Sequence, residues 1–590
     1  MPRFSECWRC GKTSASVACL SCEVAKYCSN KCKINDVARH TDAECRPVSV
    51  INTCLSCRKV GTQLQKCTGC YRVFYCDVTC QKNHRTQHKA ECKRIVDKVK
   101  LLASELDRYF PAYFARGCIV HYYWGNVPAY DYLNLLENEG VDYSFPINIL
   151  VLGVGDLRNV VLTCASLPKH FTSKVNFTLN DSDRCVLARL VLLLYMMIKC
   201  DSSASNVITE IWYSLSLSEK TYNYLCASLN GLLQLKSASD FKFATCGLII
   251  VDDSHFKKLQ EIWRKWLHVK VEGTKIIANR REEAMKADSG SFFGKINYYN
   301  CIPREHVASA KKYMEDGGFR RTSKCSFAEN STLTGPPIMC EDAPFTYAVP
   351  TSVLPFVGWD YIEVEKFKHN KSLVTMFGNY IEHKLSCFME KLTSKQVSFD
   401  IILGDCLKID EYLKKEEKYD RILTSNLMDY ILLPELLRTY SDKLNRDNPF
   451  STLITECQNW VNFCPDADVS MMPFTTPVQT AHFRDIVMQD TNDPVLANDG
   501  GTTFREYLDN LNEWQDYLRA LFYVFHKRYN SGRSGSSKLP ILKDLGSEFQ
   551  LRLRDGARNE NRIIFFKPVV NQRRVTMITG LERYLEWVVN

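Results

Sequence analysis

Apolar residues at Ile95, Val99, Leu102, Leu106 and Phe110 recur at helical spacing until Pro111, which predicts a helix that stops there. The run Ile147-Asn-Ile-Leu-Val-Leu is short and apolar and ends in Gly153-x-Gly155 and Asp156. It predicts a buried parallel strand, a tight glycine turn and a helix with Asp156 as its N-cap. Such turns let a ligand approach the backbone, and the helix N-terminus attracts negative charge. Val175-Asn-Phe-Thr-Leu-Asn predicts a second strand, closed by Asp181 and followed by a strongly apolar helix from Arg184 to Met197. Doubly wound folds hold a ribose with an acid at the end of their second strand, which is where Asp181 stands. Gly247-Leu-Ile-Ile-Val-Asp252, Phe399-Asp-Ile-Ile-Leu-Gly-Asp405 and Tyr419-Asp-Arg-Ile-Leu-Thr-Ser-Asn426 repeat the pattern of an apolar strand ending in polar residues. Near the end, Phe549-Gln-Leu-Arg-Leu-Arg and Arg562-Ile-Ile-Phe-Phe-Lys flank Asp555-Gly and predict an antiparallel hairpin. Strands alternating with helices give an α/β class with a doubly wound, mixed sheet.

The longest apolar run, Val186 to Ile198, contains Arg189 and falls short of the roughly 20 residues a membrane span needs. The opening Met1-Pro-Arg-Phe-Ser-Glu-Cys7 lacks the apolar core of a signal peptide, so a place inside the cell, cytoplasmic or nuclear, is expected. With 590 residues, two to four units are expected. A composition of 45% hydrophobic and 24% charged residues excludes a disordered or fibrous chain.

Cysteine changes the picture. There are 27, and 14 precede residue 93, which in a chain with no export signal points to metal rather than disulfides. Residues 1–100 carry 19 Lys/Arg against 8 Asp/Glu, or +11, within a chain of +9. Fourteen zinc-bound thiolates and four divalent ions would lower these to +5 and +3. The case for a nucleic-acid-binding arm mostly dissolves, and no helix here carries a clean basic face with base-reading residues.

The cysteines fall in two sets: Cys7-x2-Cys10, Cys19-x2-Cys22, Cys28-x3-Cys32, His40-x4-Cys45, then Cys54-x2-Cys57, Cys67-x2-Cys70, Cys76-x3-Cys80, His88-x3-Cys92. Each ligand type recurs 47 or 48 residues later, an internal duplication. Eight ligands make two tetrahedral sites, one of four sulfurs and one of three sulfurs and a nitrogen. Spacing alone leaves sequential and interleaved pairing open. The repeat arithmetic selects His88 over His84, which is expected to be exposed. Both sets resemble the MYND zinc finger, including its Tyr-Cys at Tyr27-Cys28 and Tyr75-Cys76; the family's frequent tryptophan before the histidine is replaced by Val37 and Arg85. The resemblance implies interleaved zinc sites, four ions in all: Cys7, Cys10, Cys28 and Cys32; Cys19, Cys22, His40 and Cys45; Cys54, Cys57, Cys76 and Cys80; Cys67, Cys70, His88 and Cys92. It also implies protein partners, often proline-rich peptides.

A second resemblance rests on Trp124-Gly-Asn-Val-Pro-Ala-Tyr-Asp-Tyr-Leu, Leu152-Gly-Val-Gly-Asp-Leu-Arg-Asn-Val, Leu179-Asn-Asp-Ser-Asp-Arg and Ala188-Arg-Leu-Val-Leu-Leu. These resemble the domain that opens the dynein axonemal preassembly factor 3 and also follows MYND fingers in other animal proteins. That domain is similar to the class I methyltransferase fold. The resemblance implies that Gly153, Gly155 and Asp156 would cradle the methionine part of S-adenosylmethionine, with Asp181 on the ribose and Asp405 near the adenine. The chain departs from that pattern at Val151, where an acid is usual, and at Leu157, where a third glycine is usual. Asp181 and Asp405 stand 224 positions apart, and the strand ending at Asp252 competes for the place of Asp405. Asn426-Leu-Met-Asp-Tyr430 only faintly resembles the Asn-Pro-Pro-Tyr of amino-methyltransferases.

The expected organisation is two fingers (7–45 and 54–92), a linker helix (93–117) and an α/β body (118–590) with insertions over about 186–395. Cysteines outside the fingers and His255, His268 and His306 are expected to be structural, and Trp263 and Trp266 to be buried by a helix. The favoured role is a zinc-binding adaptor whose body is a degenerate scaffold; the alternative is a methyltransferase whose fingers recruit a protein substrate.

Overall fold

The computed structural model describes Cys7, Arg9, 15–20, 25–36, 52–61, 64–110, 121–269, 302–319, 327–337, 342–349, 354–467, 510–529, 538–554 and 582–590, with isolated positions between these stretches. The body is built on one eight-stranded sheet. Its strands are β1 (Ile147–Leu152), β2 (Val175–Asp181), β3 (Ile249–Val251), β4 (Val397–Leu403), β5 (Arg421–Leu423), β6 (Thr452–Cys457), β7 (Leu551–Leu553) and β8 (Arg583–Val589). The order across the sheet is β3-β4-β2-β1-β5-β6-β8-β7. The first six run parallel, and β8 is antiparallel to both of its neighbours.

Strands covered on both faces read as continuous apolar runs, and β1 shows why. Ile149 and Val151 enter one hydrophobic core, while Leu150 and Leu152 enter the other on the opposite face. Helix Arg184–Lys199 is apolar all round because it lies inside the first core. Its one interior charge, Arg189, donates to the carbonyls of Ile211 at 2.9 Å and Trp212 at 2.7 Å.

The structure bears on several expectations. The helix after the second finger runs Arg85–Tyr109, so it begins inside the finger and already carries His88 and Cys92. It is not merely a linker, because Val99, Leu102, Ala103 and Leu106 help form the second core of the body. Strand β7 lies beside β8, whereas the run from Arg562 lies outside the described residues. The run at Gly247–Asp252 forms the sheet-edge strand β3, and β4 takes the place beside β2. Helix Arg158–Ser166 has Leu157 at its N-cap, one residue after Asp156.

His306, Trp263 and Trp266 are built in, while His268 is exposed at the end of its helix. His306 bonds the Lys371 carbonyl and the Tyr361 hydroxyl, and buried Trp263 and Trp266 donate to the carbonyls of Ala188 and Thr334.

Candidate metal centres and the glycine turn

In the second finger a hairpin pairs Gln65–Lys66 with Phe74–Tyr75, and a short helix, Val78–Asn83, follows. Asp77 caps that helix by accepting from the N–H of Cys80 at 2.8 Å. Forty-eight residues earlier, Ser29 accepts from Cys32 at 3.2 Å at the head of helix Asn30–Asn35. These local elements converge two ligand sets. The ligand atoms of Cys54, Cys57, Cys76 and Cys80 lie within 4.8 Å of one another, as do those of Cys67, Cys70, His88 and Cys92. Close pairs are Cys57–Cys76 at 3.4 Å, Cys70–His88 Nε2 at 3.4 Å and Cys67–Cys92 at 3.9 Å. A tetrahedron with metal–sulfur bonds of roughly 2.3 Å has edges of roughly 3.8 Å, so both sets fit zinc. Gly69 belongs to this fit, because a Cβ there would stand 2.8 Å from Cys92 Sγ.

In the first finger Cys7, Cys28 and Cys32 cluster in the same way. Cys19 is buried in the same small core as Cys7 but is not one of that ligand group, and Cys10, Cys22, His40 and Cys45 lie outside the described residues. His84 is not simply exposed, since its Nδ1 pairs with the Tyr75 hydroxyl at 3.1 Å. Tyr27 and Asp36, each 48 residues earlier, pair at 2.9 Å.

The second finger is docked on the body. Arg72 forms an ion pair with Asp516, the Tyr71 hydroxyl accepts from the N–H of Leu542 at 3.0 Å, and Tyr71 is part of the second core.

At the C-terminal end of β1, Gly153 and Gly155 both take φ +60°, a left-handed conformation natural to glycine. The turn they make is filled from within. Asp181 accepts from the N–H of Gly155 and, with its other oxygen, from the N–H of Asp183, both at 3.0 Å. Burial, then the neighbouring charge of Asp183, push its carboxyl up to about 6. Asp156 is buried and accepts from the N–H of Gly125 at 3.0 Å and from Arg158 at 2.6 Å. Leu427 packs 3.4 Å from where a Cβ of Gly153 would sit. The crevice left beside Gly155, Asp156, Tyr123 and Arg189 is narrow, with room for little more than a water molecule.

Asp405 is exposed and caps the turn after β4, accepting from Leu407 at 3.0 Å. Strand pairing sets Leu403 opposite Asp181, so the two acids end adjacent strands despite their distance in sequence.

Two polar groups escaped the sequence reading. His121 bonds Asp183 at 2.5 Å and the Pro336 carbonyl at 2.7 Å; burial alone would lower its pKa, but Asp183 outweighs that and raises it. Glu456 is buried at the end of β6, and burial pushes it up to about 7. Neither carries a sequence signal: Asp183 and Pro336 lie far from His121 in the chain, and the burial of Glu456 is set by the packing of distant elements around β6.

A family model described as MYND finger matches residues 54–92, and one described as a domain of unknown function (DUF4470) matches residues 123–217. No curated protein and no solved structure matches the chain. Residues 54–92 are therefore a zinc-binding protein-interaction module. The cluster of Cys7, Cys28 and Cys32 suggests a second finger. Among the described residues no helix is long and apolar enough to cross a membrane.

Proposed function

We propose that this chain is an adaptor, with two MYND-type fingers that capture peptide segments of a partner protein and a body that acts as a non-catalytic scaffold. The ligands are the four interleaved sets named above, one zinc ion each, with Cys10, Cys22, His40 and Cys45 completing the first finger. Thr68, Tyr71 and Arg72 of the second finger face the body, so capture falls to the first finger and to the remaining faces of the second. Proline-rich segments are the partner chemistry the family resemblance favours. The resemblance to a dynein preassembly factor makes the assembly of a large complex the setting, by analogy.

The observation that carries the scaffold reading is the hydrogen bond from Gly155 to Asp181. It satisfies internally the two groups a nucleotide cofactor would need. Titrating a labelled proline-rich peptide into the zinc-loaded chain tests capture. Saturable binding that disappears on chelation is expected; equal binding before and after zinc removal would contradict it.

The methyltransferase alternative is favoured by the strand order. Strands β4, β2, β1, β5 and β6 reverse direction of travel between β1 and β5, the switch point where doubly wound sheets bind ligands. Under that reading Gly153, Gly155, Asp156, Asp181 and Asp405 would hold S-adenosylmethionine.

A further inference from the structure

Arg519, on helix Leu511–Tyr529, is only 1% exposed, yet among the described residues no carboxylate lies within ion-pair distance of it. Its Nε donates to the Pro540 carbonyl at 2.9 Å, its Nη2 reaches the Thr68 carbonyl at 3.5 Å, and its Nη1 is buried without a partner. Asp516, on the same helix, attracts the guanidinium, but the carboxylate is shared with Arg72, which pairs with its Oδ2. A buried, unpaired guanidinium is costly, and such charges persist where a counter-charge stands nearby.

A second counter-charge, beyond Asp516, lies behind Thr68. Thr68 is inside the Cys67-Thr-Gly-Cys70 knuckle, and the guanidinium also lies 4.9 Å from the centroid of the adjoining Tyr71 ring. Three thiolates and a neutral imidazole around one divalent zinc leave a net charge of −1. Tyr71 and Asp516 act on Arg519 more strongly, but Cys70 of this set also attracts it, and Arg519 in turn acts on Cys92.

We infer that Arg519 is a positioning residue of the zinc site formed by Cys67, Cys70, His88 and Cys92. From the far end of the sequence it supplies the cation that balances the site and holds the Cys67–Cys70 knuckle against the body. The second finger is thereby a clasp whose metal affinity depends on docking, and whose docking depends on metal. This inference rests on the zinc-ligand sets proposed above and is independent of what the fingers capture.

The test is zinc release from the zinc-loaded full chain to a colorimetric chelator. Loss of an outer-shell partner typically costs 10–100-fold in metal affinity. Arg519→Met should therefore release one zinc per chain about 10–100-fold faster, with the other ions released as in the wild type. A folded R519M chain, judged by circular dichroism, that releases every ion at the wild-type rate would overturn the inference. If R519M does not fold, Arg519→Lys decides. Release within a few-fold of wild type supports a role for charge, whereas release as fast as from a His88→Ala chain overturns it. A wild-type chain that holds no zinc would instead sink the ligand assignment, a distinguishable failure.

Discussion

The carboxylate of Asp181 accepts the backbone N–H of Gly155 at 3.0 Å, so the acid that ends the second strand is turned onto the turn that ends the first. Replacing it by alanine leaves the N–H groups of Gly155 and Asp183 unsatisfied in a largely buried setting. Asp181→Ala should cost about 1–3 kcal/mol, read as a lowered unfolding midpoint in denaturant. An unchanged midpoint would mean that water replaces the carboxylate and the turn is open.

Glu456 sets a pH dependence. Its folded pKa of about 7 lies above the roughly 4.3 of an unfolded glutamate, so its contribution is most favourable below pH 4 and is lost as pH rises through 7. Glu456→Gln keeps an acceptor for the Gln458 side chain and removes the buried charge. The variant should be more stable than wild type by about 3 kcal/mol at pH 8, with the advantage shrinking as pH falls toward 4. A gap that does not change with pH in denaturation midpoints would place Glu456 in contact with solvent.

What was legible in the sequence was local. The Cys-x2-Cys knuckles, the strand from Ile147 to its glycine turn and the acid at Asp181 each sit within one continuous segment. The places of β4 and β3 were not legible, because the pairing of Leu403 with Asp181 spans more than two hundred residues and no local pattern encodes it. The connector helix showed its apolar stripe, but not that Val99 and Leu106 would meet β1 and helix Leu511–Tyr529 in one core. Asp156 was read as the N-cap because its type suits one; Leu157 holds that position, but the Asp156 carboxylate does accept from the Arg158 N–H at 3.3 Å, besides the Arg158 guanidinium and the Gly125 N–H.

Gly69 and Gly61 make a matched pair. A Cβ at Gly69 meets Cys92 Sγ at 2.8 Å, while one at Gly61 meets nothing within 4 Å. Gly69→Ala should lose zinc from the Cys67, Cys70, His88 and Cys92 set, and Gly61→Ala should keep the wild-type content by elemental analysis. The same content in both variants would contradict the geometry of that set.

Metal and body stability should be coupled. Cys76→Ala and His88→Ala should each lose zinc, and His88→Ala should also lower the melting temperature of the body, because the helix carrying His88 lines the second core. Tyr71→Phe, which strands the buried N–H of Leu542, should cost about 1–3 kcal/mol. Lys98→Ala breaks only an exposed pair with Asp466 and should cost less than about 1 kcal/mol. Thermal denaturation of the three variants ranks them, and a large effect at Lys98 with none at Tyr71 would reverse the proposed basis of docking.

The scaffold reading of the body meets its most direct test in calorimetric titration of the zinc-loaded chain with S-adenosylmethionine and its demethylated product. A glycine turn filled by Asp181 and Leu427 predicts no saturable binding up to millimolar ligand. Micromolar binding that is lost in Asp181→Ala would contradict it and establish the body as a cofactor-binding domain.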